Sequence, residues 1–406
     1  MISKRILIFS LAYYPKVGGA EIAVRNITDR ISDIEFDMVT LRFNSSDKAE
    51  ERIGNVNVYR IKSSKNLFPF KAFFKAIKLH KEKPYDTIWA IMANWAGFAA
   101  LFFKLRFPNI KYILTLQEGD PIEYINKKVR FIYPIFQKIF LKADIIQTIS
   151  NFLADWAKDM GYKGKIEIIP NGVEFETFSE YSKTISSETE QFYSESEFQL
   201  TDDQASERFD SYFDDEISDF KDEKGIKESD VLLITISRLV KKNGIEDIIR
   251  ALIFLKPNTK LLIFGEGPLE PELKKLVQKN KLESRVIFAG YFDYRDFLKY
   301  LESMPGIFVR PSLSEGMGNS FIEAMATGIP VVATPVGGIV DFLKDEETGL
   351  FCKVHDPKSI AEQVMKLINN PELKQKITTN AKRMVKEKYD WDLIARDMEN
   401  KVFKTT

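Results

Sequence analysis

The chain is poor in the groups on which several chemistries depend. It has one cysteine, Cys352, so no intramolecular disulfide can form and a reducing cytoplasm is the expected setting. It has two histidines, His80 and His355, far apart and without the clustered ligands of a metal site. His80 lies among lysines and reads as a surface residue. Lys+Arg and Asp+Glu both number 59, and this absence of net charge disfavours a dedicated nucleic-acid binder. Long hydrophobic runs are missing too. The longest uncharged stretch, Thr87 to Phe103, has 17 residues, includes Asn94 and is too short to span a bilayer. The first residues pass from charge into a short apolar run with no clear cleavage site, and read as a strand, not a signal peptide. No G-x-S-x-G elbow or G-x-x-x-x-G-K-[ST] loop occurs, and the glycines after the first strand lack the dinucleotide G-x-G-x-x-G spacing. The D-x-D match Asp390-Trp391-Asp392 stands at a helix start and reads as a cap.

What is present indicates two α/β domains. A chain of 406 residues exceeds what one hydrophobic core usually serves. Residues 1–175 carry 27 basic and 18 acidic side chains, residues 176–230 carry 5 and 18, and residues 231–406 carry 27 and 23. A basic first half and a near-neutral second half therefore flank an acidic connector. Within the connector, 176–200 is Ser/Glu-rich and reads as loop. Phe209, Phe213, Ile217 and Phe220 then mark one apolar helical face ending near Gly225. A solvated acidic helix docked by one face is favoured over a regulatory lid. Both halves alternate continuous apolar runs with amphipathic segments. Strands are expected at 5–11, 35–40, 56–60, 87–91, 111–115, 145–149 and 165–169, then at 231–237, 260–264, 286–289, 307–309 and 330–333. Two doubly wound domains in series leave a cleft between them, and ligands bind beyond the strands' C-terminal ends.

Five loops stand at such ends. Gly18 and Gly19 precede a helix and permit close backbone approach to a ligand. Ser237 to Gly244 places Arg238, Lys241 and Lys242 where a diphosphate could be held, with Asn243 beside them. Gly265 and Gly267 form a third turn, which is equally well an ordinary connector. The richest segment runs from Arg310 to Pro330. In it Glu315 can accept sugar hydroxyls, Gly316, Met317 and Gly318 form a loop, Asn319 and Ser320 open a helix whose amides suit a phosphate, and Glu323 can grip a ribose diol. From the opposite wall, Gln117, Glu118 and Asp120 should reach the cleft. Asn171-Gly172-Val173 reads as a turn closing the first domain.

Together these residues resemble glycosyltransferase family four, retaining enzymes of the GT-B fold, over nearly the whole chain. The pair Glu315 and Glu323, with seven residues between, is the family's signature, and Gly18-Gly19, Asn171-Gly172-Val173, Gly265–Pro268 and Pro335–Gly338 match its usual surroundings. The resemblance implies two Rossmann-like domains: 1–175 for the acceptor and 231–388 for a UDP- or GDP-linked sugar. It implies a final helix in 389–406 packed back on the first domain. By it, Arg238 and Lys242 neutralise the leaving diphosphate, Glu323 holds the ribose, Glu315 with Gly316–Asn319 holds the sugar, and no metal or other cofactor is needed. Two positions depart from the pattern. Asn243 stands where the family has its phosphate lysine, and Gln117 where it commonly has a histidine. A non-catalytic sugar-nucleotide-binding protein is therefore the alternative reading. Lysines and phenylalanines interleave over Lys65–Lys83, and a similar pattern recurs over Lys127–Lys142. With the basic first half these suggest that the acceptor, a glycan or a lipid-linked molecule in cell-surface polysaccharide biosynthesis, is lipid-linked or membrane-proximal, with an anionic membrane surface at the inner face of the membrane as a partner. Slightly stronger is the alternative that the phenylalanines face the core.

Overall fold

The computed structural model describes residues 4–174, 217–291, 300–301, 303–304 and 306–405. The first half forms an eight-stranded sheet in the order β3-β4-β2-β1-β5-β6-β7-β8. Its strands are β1 (Lys4–Phe9), β2 (Ile34–Leu41), β3 (Glu50–Ile53), β4 (Val56–Ile61), β5 (Thr87–Ile91), β6 (Lys111–Leu116), β7 (Ile145–Thr148) and β8 (Lys165–Ile168). Only β3 runs antiparallel to its neighbour. The second half forms a six-stranded parallel sheet in the order β11-β10-β9-β12-β13-β14. These strands are β9 (Val231–Ile236), β10 (Thr259–Phe264), β11 (Val286–Gly290), β12 (Gly306–Arg310), β13 (Val331–Ala333) and β14 (Leu350–Phe351). The GT-B architecture expected from the sequence is the one observed.

The strands form where they do because both sheet faces are covered. Ile6, Leu7, Ile8 and Phe9 of β1 and Leu233 and Ile234 of β9 are fully buried, and such strands must be apolar on consecutive residues. The expected strands fall within one or two residues of the observed ones. Two were not foreseen. In β3, Glu50, Glu51 and Arg52 leave no apolar run, because an edge strand keeps much of its surface in water. In β14 only two residues pair.

Helices of the first half are α1 (Gly19–Asp29), α2 (Phe68–Glu82), α3 (Trp95–Arg106), α4 (Ile122–Val129), α5 (Tyr133–Leu141) and α6 (Asn151–Asp159). The uncharged stretch 87–103 is β5 followed by most of α3, and Asn94 caps α3 by accepting from Ala96 N at 2.8 Å. Among the described residues no helix is long and apolar enough to cross a membrane. Helices of the second half are α7 (Ile245–Ala251), α8 (Glu270–Lys279), α9 (Asn319–Ala326), α10 (Ile339–Phe342), α11 (Pro357–Asn369), α12 (Pro371–Lys388) and α13 (Trp391–Asp397).

The chain crosses back after α12. Val173 bridges to Asp390, Trp391 is buried, and Phe403 packs its ring 5.0 Å from Trp89 and 5.9 Å from Phe36. Arg30, the residue that follows α1, pairs with both Glu174 and Asp392. Asp390 caps α13 by accepting from Asp392 N, so the D-x-D match serves as a cap. Of the acidic helix, Phe209 and Phe213 lie outside the described residues. Ile217 is buried and Phe220 packs 5.5 Å from Tyr300. His80 is a correction: it does not sit free on the surface. Its Nδ1 accepts from Tyr85 N, its ring lies 4.7 Å from Phe107, and burial lowers its pKa. The phenylalanines of Lys65–Lys83 divide between both alternatives, with Phe68 buried and Phe70 and Phe74 exposed.

Candidate active site

Each sheet reverses its winding once, between β1 and β5 in the first and between β9 and β12 in the second. At such points the adjoining loops diverge and leave a crevice beyond the strand ends. The two crevices face one another and merge into one cleft of about 700 Å³. Loops after β1, β5 and β6 form one wall, and loops after β9 and β12 the other.

The second wall is built on a buried cation. Arg310 ends β12, and its guanidinium donates to Ser320 Oγ at 2.6 Å, Ser312 Oγ at 3.2 Å and Ile236 O at 3.1 Å. It also pairs with the Glu315 carboxylate and lies 4.3 Å over the Phe321 ring. Arg310 and Glu315 are both buried. One side chain thus ties the end of β9, the Glu315 loop and the first turn of α9 together. Gly318, at φ 87°, precedes α9, which has no side-chain N-cap, so its first amides are available to an acceptor. Gly337 must be glycine because a Cβ there would run into the Glu315 carbonyl.

Arg238 is exposed in the cleft, and among the described residues its guanidinium makes no ion pair. Lys242 reaches across to the first domain, donating to Gly119 O at 2.7 Å and standing 3.8 Å from Asp120. Asn243 is buried, and its amide donates to Arg238 O at 2.7 Å. It orders the loop that carries the two cations.

On the first wall, Asn171 links the domains: its amide donates to Asn319 Oδ1 at 3.1 Å and to Gln117 Oε1 at 3.3 Å. Gly19 faces Asn319, and a Cβ on Gly19 would stand 3.2 Å from its amide nitrogen. Gly18 N donates to Glu21, which fixes the start of α1. Gly316 passes so close to the Glu118 carbonyl that a Cβ would collide with it.

The cleft therefore gathers Gly18, Gly19, Gln117, Glu118, Asp120, Arg238, Lys242, Asn243, Glu315 and the 316–320 loop. Gly265, Gly267 and Glu323 do not line it. The two glycines lie under the β9 loop, where side chains would strike Ser237 and Leu239, and Glu323 is buried within α9. Sequence reasoning did not assign Arg310 or Asn171 to the site. An arginine closing an otherwise apolar strand was the available signal for the first, and the Asn171-Gly172-Val173 turn for the second.

Glu118 carries the clearest electrostatic feature. Its carboxylate accepts from Gln117 N at 2.9 Å and from Ala93 N at 2.5 Å, which pins the β6 loop to the β5 loop. Burial nevertheless raises its pKa to about 7, with Asp120 adding to the rise. An unfolded glutamate titrates near 4.3, so the folded chain holds this proton more tightly. The resulting stabilisation is complete below about pH 4.3 and is lost as pH rises through about 7. The Tm of the wild type relative to Glu118→Gln should accordingly fall between about pH 4.5 and about pH 8. Parallel melting curves across that range would show a carboxyl that ionises as freely folded as unfolded.

Comparison with known proteins places these features in a lineage. A family model described as glycosyltransferase family 4 matches residues 17–177, and one described as glycosyl transferases group 1 matches residues 216–384. An uncharacterized glycosyltransferase of Methanocaldococcus jannaschii is 26% identical, the alignment covering 98% of this chain and 97% of that one. The alpha-monoglucosyldiacylglycerol synthase of Acholeplasma laidlawii is 22% identical, covering 97% of this chain and 96% of that one. Among solved structures, Anabaena HepE in complex with UDP-glucose superimposes with a TM-score of 0.74 at 17% identity, covering 99% of this chain and 100% of that one.

Proposed function

Because this chain belongs to the family-four glycosyltransferases, we propose that it moves a sugar from a nucleotide-diphosphate sugar to a glycan or glycolipid acceptor, with retention of anomeric configuration. The observation that carries this reading is the cleft itself. Two cations, Arg238 and Lys242, the Glu315 carboxylate and the open amides of α9 face it from one domain, and Gly18-Gly19, Gln117 and Asn171 from the other. A nucleotide sugar supplies the matching groups: a dianionic diphosphate for the cations and amides, and hydroxyls for Glu315. The complex of HepE with UDP-glucose supports the same donor class.

The step needs little from a side-chain base. The bond from anomeric carbon to phosphate oxygen breaks, and its electron pair leaves with the diphosphate. The acceptor oxygen bonds the same carbon on the same face, and its proton passes to the departing phosphate oxygen. Charge develops on the diphosphate, so fixed cations stabilise the transition state. Gln117 hydrogen-bonds without shuttling protons, which suits such a route. In this reading no metal ion takes part. The protein sits at the inner face of a membrane, where Leu67, Phe70 and Phe74 stand exposed beside Lys65, Lys71 and Lys75.

Thermal-shift titration with UDP-, GDP- and ADP-sugars tests this reading. One donor at a hundredfold excess over its Kd should stabilise the chain by about 2.7 kcal/mol. Product analysis with that donor should show transfer, and the chain should sediment with phosphatidylglycerol vesicles. Stabilisation without transfer or donor hydrolysis would favour a protein that only binds the nucleotide sugar. No stabilisation by any donor would remove the transferase reading.

A further inference from the structure

The cleft has a second, apolar arm that the donor chemistry does not use. It runs from the β5 loop between α3 and the α4–α5 hairpin, lined by Trp95, Phe98, Ile125, Val129, Ile132 and Phe136. Aromatic rings floor it, with Trp95 6.0 Å from Phe98 and Phe98 6.2 Å from Phe136. Helix α4 is amphipathic, yet none of its residues is buried. Ile122, Ile125 and Val129 are only partly buried at the edge of the core, so this helix leaves part of its apolar face open to the arm. At the outer end of the arm the apolar surface continues into water. Phe131 is 83% exposed, and Ile132, Ile135 and Tyr124 are also exposed. Lys127, Lys128 and Arg130 surround that end, with Lys128 4.2 Å over the Tyr124 ring and Arg130 4.3 Å over the Phe131 ring.

We infer that this arm holds the hydrocarbon chain of a lipid acceptor, entering from an anionic membrane at the α4–α5 hairpin. The inference rests on the transferase reading, in which the first domain holds the acceptor, and it narrows that acceptor from a glycan or glycolipid to a molecule with an alkyl chain. Three observations select this occupant. The arm is continuous with the reaction cleft, so a chain seated there brings its polar head to Gln117 and Glu315. The lining is aliphatic and aromatic, which suits methylene groups. The cations stand at the outer mouth, where an anionic headgroup layer would meet them.

The experiment uses the full chain with alkyl glucosides of increasing chain length, kept below their micelle concentrations, as probes of the arm. Their affinity in the presence of the stabilising nucleotide sugar should tighten about threefold to fourfold per added methylene, the equivalent of about 0.8 kcal/mol for each buried CH₂. Val129→Asp and, separately, Ile125→Asp should flatten that dependence while donor stabilisation is retained. Both side chains are only partly buried at the edge of the core, and retained donor stabilisation reports that each variant is folded. Phe131→Ser with Ile135→Ser, at the exposed mouth, should leave the chain-length dependence intact and weaken binding to phosphatidylglycerol vesicles. A flat chain-length response in the wild type, with donor stabilisation intact, would overturn the lipid arm and leave the transferase standing. So would a dimer that dissociates in Phe131→Ser, because a second copy would then cover the patch. Loss of donor stabilisation in the wild type would instead overturn the reading beneath it.

Discussion

Arg310→Met is expected to destabilise the protein by about 3–5 kcal/mol and to abolish transfer. The guanidinium is buried, and it meets Glu315, Ser312, Ser320 and the Ile236 carbonyl at once. Methionine fills a similar volume but donates nothing. The Glu315 carboxylate would then stay buried with its partner gone, and the two serine hydroxyls and the carbonyl would each lose a donor. Breaking one side of a buried pair is costly for that reason, whereas replacing both sides by apolar groups can be nearly neutral. The double variant Arg310→Met with Glu315→Leu should therefore regain most of the lost stability and none of the activity. Urea unfolding of the two singles and the double supplies the cycle. If Arg310→Met unfolds within about 1 kcal/mol of the wild type, the ion pair is solvated and the second wall is organised by something else.

Arg238→Ala and Lys242→Ala should each slow transfer by about 10²–10³-fold, the effect expected when one preorganised charge is taken from a developing anion. Stability should barely change. Arg238 is exposed and makes no ion pair among the described residues. The Lys242 side chain is a quarter exposed, and its contacts are one carbonyl and a distant carboxylate. The loss should fall on kcat more than on KM, because the diphosphate gains charge as the sugar leaves. Lys242→Arg should recover part of the rate if charge alone matters. Asn243→Ala should act indirectly, since its amide is taken up by the Arg238 carbonyl. Single-turnover rates with saturating donor decide the matter. A tenfold or smaller loss in both alanine variants would show that the amides of α9 carry the diphosphate.

Most of the strand positions were legible because strands buried on both faces are apolar on every residue, and that pattern survives in one dimension. The edge strand β3 was not, because Glu50, Glu51 and Arg52 carry the composition of a loop. The cleft loops were legible as a set, since glycines and polar residues at strand ends mark where a chain must turn and can bind. Their individual tasks were less so. Gly265 and Gly267 look like ligand-facing glycines, and the structure gives them a further reason to be glycine, since the Ser237–Leu239 loop packs directly on them. Lys242 looks like a free cation, but it spans the cleft to Gly119.

The sequence by itself determined the two α/β domains, the loops that face the cleft and the Glu315–Glu323 pattern. All of these rest on residues that are neighbours along the chain, where periodicity and spacing act. Only the tertiary structure decided which of those residues meet. Asn171 bonds Asn319 across 148 positions and Gln117 across 54, and Lys242 bonds Gly119 across 123. The apolar arm exists only because α3 and the α4–α5 hairpin leave a gap between them. Such contacts depend on how two sheets of fixed twist are set against each other. That setting is a sum over the whole interface, so no local stretch of sequence records it.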